Sequence, residues 1–104
     1  MLVDLLADTP RDVPRVYRLL TSGVVPRPIA WVSTRSAEGV DNLAPYSFFT
    51  VASVQPPVLA VTQVNPPNRP AERPHKDTLT NLQKSGECVV NVASSAQLEL
   101  MNAC

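Results

Sequence analysis

The chain has 104 residues, with nine Lys and Arg against nine Asp and Glu, so its formal net charge is zero. That length fits one domain with a small core. The charge balance argues against a nucleic-acid or anionic-membrane binder, which carries a basic excess, and no apolar run is long enough to cross a bilayer. The first residues, MLVDLLADTPRD, are acidic early and lack a basic region, so they make a poor signal peptide. Cys88 and Cys104 are too few for a disulfide framework and are not at metal-ligand spacing; a cytoplasmic protein with reduced thiols is expected. With only Gly23, Gly39 and Gly86, neither GxGxxG nor a P-loop is present. A bound phosphate must therefore be held by side chains and a helix N-terminus.

In chain order, residues 12–22 predict a helix, with Asp12 as cap, Pro14 in the first turn, and Val16, Leu19 and Leu20 on one face. Gly23 is placed to end it in a left-handed conformation. Val25 to Pro28 is an extended lead-in. Ile29 to Thr34 predicts a strand, followed by a hairpin-type loop over 35–39. Val40 to Ala44 begins a second strand, interrupted at Pro45, a residue that belongs at a sheet edge or bulge. Ser47 to Ser53 continues as strand, and Pro56-Pro57 breaks it. Val58 to Gln63 is apolar at four successive positions, which predicts burial of both faces. Residues 64–75 form a long loop rich in proline and charge, containing His75, a histidine expected in solvent. Lys76-Asp77-Thr78 opens a short helix, with Leu79 and Leu82 inward and Gly86 ending it. Glu87 to Ala93 predicts a strand in which Cys88 is a small core residue. Ser94 opens a last helix, with Gln97 at capping-box spacing and Leu98 and Met101 as its apolar face.

This order is not a βαβ repeat. It predicts a mainly β fold with peripheral helices, in which sequential hairpins build a Greek-key or barrel-like antiparallel sheet. The strands are too few to close a barrel. The last helical pattern also reaches Cys104 without a stop signal, so the expectation is an incomplete domain.

Several runs then resemble one family. Arg27-Pro28-Ile29-Ala30-Trp31-Val32-Ser33-Thr34 is similar to the RPIAWVST strand of flavin-reductase-like, FMN-binding split-barrel proteins. Asn42 to Phe49 resembles their NLAPYSFF segment, and Pro56-Pro57 follows at the family's spacing. Lys76-Asp77-Thr78-Leu79 with Asn81 resembles the KDTLxN helix start, Glu87 to Val92 the EFVVN strand, and Met101-Asn102 the family's MN. The resemblance spans about Tyr17 to Asn102. It implies that residues 1–104 are the N-terminal part of a split β-barrel whose complete form is longer and homodimeric, with FMN near the subunit interface. It also implies that NADH or NADPH reduces the FMN, which passes electrons to a soluble small-molecule acceptor. The alternatives are a non-enzymatic flavin-binding module, or an inactive truncated fragment whose sheet edge seeks a partner.

FMN presents a phosphate and a flat ring with polar edges. Lys76 offers a charge and Thr78 a hydroxyl, both where a helix begins and its free N–H groups favour an anion. The plainer reading makes Asp77-Thr78 a helix cap and Lys76 a surface charge. Ala44, Pro45, Tyr46, Ser47 and Phe48 supply extended backbone for the ring edge, with the Ser47 hydroxyl and the Tyr46 ring beside it. Ser33 and Thr34 end the first strand on that side if the two strands pair. Arg27 can meet the phosphate, a partner-chain carboxylate, or solvent. Trp31 and Phe49 read as core. Asn42 and Asn91 read equally as backbone partners in a bulge or as ligand contacts. No nucleophile and base stand together, so no catalytic or metal-binding residue is assigned; flavin chemistry leaves the protein to position and polarise.

Overall fold

The computed structural model describes residues 13–65 and 68–104. The expected cap at Asp12 lies outside them. Helix α1 spans Val13–Gly23. Strands β1 (Ala30–Arg35) and β2 (Asp41–Tyr46) pair antiparallel, Ala30 opposite Tyr46 and Thr34 opposite Asn42. The turn between them uses Gly39 at φ 83, and the Ser36 carbonyl accepts the Gly39 N–H at 3.0 Å. Strands β3 (Phe49–Ser53) and β4 (Val58–Val61) form a separate antiparallel ribbon. Helix α2 (Asp77–Ser85) precedes β5 (Val89–Val92), which pairs with the free side of β1. A 3-10 turn at Ser95–Gln97 leads into α3 (Leu98–Asn102). The result is mainly β with three helices and two antiparallel sheets, β2-β1-β5 and β3-β4, neither of them closed.

The core lies on one face of the three-stranded sheet. Alternation along β1 sends Ala30, Val32 and Thr34 to that face, and all three are buried. Ala30, Val32 and Tyr46 form its centre, with Ala44, Phe49 and Val90 packed against it. Trp31 is buried, while Phe49 is half-buried against the core. Pro45 does not interrupt β2; it lies within the strand opposite Trp31. It is tolerated because β2 is an edge strand, where a missing N–H breaks no ladder.

Other expectations are corrected. Gly23 is the last residue of α1 and does not adopt positive φ. The end of that helix is satisfied differently, because Arg27 Nη1 donates to the carbonyls of Thr21 at 2.7 Å and Val24 at 2.6 Å. Leu19 and Leu20 form their helix but stay exposed, and α1 buries no residue. Strand β4 is not buried on both faces: Val58, Leu59 and Val61 are all exposed, because its ribbon has no described sheet stacked on it. Cys88 precedes β5 and is exposed. His75 is half-buried rather than solvated, and its carbonyl accepts a hydrogen bond from Arg69. In α3, Met101 is buried but Leu98 is exposed. The Ser94 amide does donate to Gln97 Oε1 at 3.0 Å, as the capping-box spacing predicts.

Gly86 ends α2 as expected, at φ 72, with its N–H donating to the Leu82 carbonyl at 2.8 Å. A Cβ there meets no atom within 4 Å, so only backbone strain opposes a side chain. Gly86→Ala is expected to lower unfolding free energy by about 1 kcal/mol, read as a lower urea midpoint with unchanged slope.

Candidate functional site

The start of α2 sits over the β1–β2 pair. Its buried residues are Thr78 and Asn81, while Leu79 and Leu82, expected to lead the packing, are half-buried. Asn81 Nδ2 donates to Thr34 Oγ1 at 3.1 Å. Asn42 Nδ2 donates to Thr78 Oγ1 at 3.0 Å. Because Thr34 and Asn42 are cross-strand partners, these two bonds fix the helix start over one rung of the ladder. Lys76 Nζ stands 5.7 Å from the centre of the Tyr46 ring, a cation–π distance.

The N-cap of α2 is Lys76, and no side chain caps the helix. Asp77, expected as the cap, is instead the first helical residue. There its charge complements the helix dipole without closing off the first N–H groups. Among the described residues no carboxylate lies within ion-pair distance of Lys76. Lys76, the Thr78 hydroxyl and the uncapped first turn thus form a set of donors whose chemistry suits an anion.

A second group gathers where the chain leaves one sheet for the other. Strand β2 ends at Tyr46 and β3 begins at Phe49, so Ser47 and Phe48 make the bend. Arg27 Nε donates to Ser47 Oγ at 3.4 Å, and the guanidinium lies 5.6 Å from the Phe48 ring centre. Tyr17 of α1 meets the same ring at 6.1 Å. Arg27 therefore ties α1 to this bend, with Nη1 engaged on backbone carbonyls. Beside it, Ala44, Pro45 and Tyr46 lie on an edge strand whose outer N–H and C=O groups face no described strand.

Thr34, Ala44, Tyr46, Lys76 and Thr78 are thus brought to one face. Ser33 is on the other face of β1, as strand alternation requires. It donates to the Val89 carbonyl at 3.5 Å and accepts from Asn91 Nδ2 at 3.4 Å. Asn91 also donates to the Trp31 carbonyl at 2.9 Å, a partner to backbone. A concavity of about 1080 Å³ lies on this opposite face around Trp31, Ser33, Leu43 and Asn91 and excludes Lys76, Tyr46 and Thr78. The site is assigned from its donors, because concavity alone carries no chemistry. Asn81 was missed as a site residue. Its signal was the spacing Thr78–Asn81, which puts two polar groups on one helical face turned inward.

Charge at the far end of the hairpin is pinned but exposed. Arg35 Nε and Asp41 Oδ1 are 2.6 Å apart, with both side chains about 70% exposed. The hydrogen bond and charge of Arg35 hold the Asp41 carboxyl below its ordinary range. The Glu38 carboxyl is lowered by a backbone N–H and the Ser36 hydroxyl. A depressed carboxyl stabilises the fold above its unfolded value and loses that contribution as pH falls through the folded one. At these exposures the loss is small.

An antiparallel β fold with an uncapped, lysine-bearing helix start against an edge strand defines a class: a β domain that presents a group of hydrogen-bond donors beside a sheet edge. The chain belongs to the flavin reductase like domain family, whose model matches residues 22–104. Flavin is the cofactor class this family implies. Similar proteins include an uncharacterized protein of Aquifex aeolicus (strain VF5), 42% identical over 90 residues, covering 86% of this chain and 44% of the relative. Uncharacterized YwrF of Bacillus subtilis (strain 168) is 44% identical, over 83% of this chain and 40% of its own length. Among solved structures, nitrilotriacetate monooxygenase component B from Bacillus cereus superposes with a TM-score of 0.77 at 33% identity, covering 98% of this chain and 47% of that one. Pseudomonas fluorescens 2-nitrobenzoate 2-nitroreductase NbaA gives 0.77 at 31% identity, covering 98% and 45%. The chain thus spans less than half the length of these relatives.

Asn81→Ala removes the donor to the buried Thr34 hydroxyl and loosens the seat of α2. It is expected to cost about 1–3 kcal/mol of unfolding free energy. Faster hydrogen exchange over 77–85 than over β1 is the accompanying readout.

Proposed function

We propose that this chain carries a flavin site of the FMN type and serves an NAD(P)H-dependent oxidoreductase. The single observation that supports it is the donor set at the start of α2. A terminal phosphate dianion matches a lysine without a carboxylate partner among the described residues, a threonine hydroxyl and uncapped helix amides. Riboflavin offers none of that charge. When bound, FMN supplies the two-electron chemistry, accepting hydride from NADH or NADPH and delivering electrons to a soluble small-molecule acceptor.

The chain's own residues bind and orient. Lys76 and Thr78 hold the phosphate end. The edge backbone of Ala44 to Tyr46 offers N–H and C=O groups to a ring edge, and the absent N–H of Pro45 narrows that pattern. Ser47 and Phe48, held by Arg27, fix the bend that bounds the ring end. Thr34 acts through Asn81 to keep α2 in place. No side chain in this set needs to move a proton. In this reading the protein is cytoplasmic and works as a homodimer.

A second reading has its own support. Val51, Leu59 and Val61 of the β3–β4 ribbon lie exposed, and a two-stranded ribbon alone is marginal in water. In that reading the chain by itself holds flavin without turnover, and further polypeptide covers the ribbon. Anaerobic addition of NADH or NADPH to the purified flavin complex separates the two. Bleaching of the visible flavin band supports the oxidoreductase, and a stable yellow complex supports the binding module. A colourless protein that binds no added FMN removes both.

Lys76→Ala is expected to weaken FMN binding by about tenfold or more, the scale of one charge-assisted hydrogen bond, and to leave riboflavin binding unchanged. Fluorescence-quenching titrations with both ligands measure it. Equal losses for both ligands take Lys76 out of the phosphate site.

A further inference from the structure

Thr78 is 8% exposed, and its Oγ1 accepts a hydrogen bond from Asn42 Nδ2 at 3.0 Å. An amide N–H₂ group only donates, so the Thr78 hydroxyl keeps its single proton for another acceptor. A helical threonine commonly gives that proton to the carbonyl one turn back. Among the described residues no such bond is made, and no other acceptor takes it. A buried hydroxyl with an unused proton costs free energy unless a ligand accepts it. This one sits in the first turn of α2, at the helix start that no side chain caps.

We propose that Asn42 is a positioning residue for a phosphate group, acting through Thr78. The inference rests on the FMN reading and adds to it a device for selectivity. By donating to Thr78 Oγ1 from the β2 side, Asn42 fixes the hydroxyl as a donor on its other side. A phosphate oxygen at the helix start receives that proton, beside Lys76 Nζ and the first amides of α2. Asn42 itself needs no ligand contact. Its place opposite Thr34, whose hydroxyl accepts from Asn81, holds the polarity of Thr78 rigid with the sheet. The consequence is selection of phosphorylated over unphosphorylated flavin by a residue that touches neither.

The test is a double-mutant cycle on the full chain with two ligands. FMN and riboflavin are titrated against the wild type, Asn42→Ala, Thr78→Val and the double variant. Asn42→Ala is expected to weaken FMN binding about fivefold, the scale of one hydrogen bond, with riboflavin unchanged. In the Thr78→Val background the same change is expected to do nothing further, since the two act as one unit. Additive losses, or equal losses for both ligands, overturn the inference while leaving the FMN site standing. Absence of FMN binding by the wild type overturns both. Should Asn42→Ala bind no riboflavin either, the near-isosteric Asn42→Asp decides. Its carboxylate accepts the Thr78 proton, so it is expected to lose more FMN affinity than Thr78→Val and to keep riboflavin. Retention of wild-type FMN affinity in Asn42→Asp also overturns the inference.

Discussion

The seating of α2 on the β1–β2 pair is the constraint on which the rest of the candidate site depends, and that seating is polar. The buried residues of the helix are Thr78 and Asn81, not leucines. Apolar packing alone tolerates rotation of a helix about its axis, because one methyl contact replaces another. Two directed hydrogen bonds, Asn81 to Thr34 and Asn42 to Thr78, do not. They fix which turn of α2 faces the sheet, and so where Lys76 and the first amides stand. Low dielectric strengthens such a network and makes a missing partner expensive. The ladder beneath it must therefore keep its register, and a slip of one residue would take Ala30, Val32 and Thr34 off the core face.

The two sheets meet at Ser47 and Phe48, and the same economy of contacts governs that junction. Arg27 reaches the Thr21 carbonyl in the last turn of α1, the Val24 carbonyl just beyond it, the Ser47 hydroxyl and the Phe48 ring at once. A planar guanidinium suits this, since its donors point in fixed and different directions. One side chain thereby closes a helix, steadies a bend and borders the edge strand. Around it, much apolar surface stays open: α1 buries nothing, and the β3–β4 ribbon exposes valines and a leucine. No helix among the described residues is long and apolar enough to cross a membrane. The chain matches less than half of its relatives' length.

Much of this was legible in the sequence, for reasons that are local. The run Ile29 to Thr34 is short, β-branched and aromatic and becomes β1 from Ala30, Gly86 ends α2, and Ser94 with Gln97 announces a helix start. The lysine and threonine opening α2 were legible as donor groups at a helix start. Several errors share one cause, which is burial inferred from composition. Val58 to Val61 is continuous and apolar, yet only a stacked sheet makes such a run buried. Cys88 and Leu98 fail the same way, because burial belongs to the pair of surfaces and not to the residue.

By itself, then, the sequence determined the order of elements, the family and the types of donor available, since periodicity, turn chemistry and motifs are properties of consecutive residues. Only the tertiary structure decided which face each donor occupies. It moved Ser33 away from Thr34, set Arg27 against the carbonyls at the end of α1, and set Asn42 against Thr78 across 36 positions of chain. Those outcomes depend on register and on the rotation of α2. Both are fixed by partners distant in sequence, and no local pattern records them.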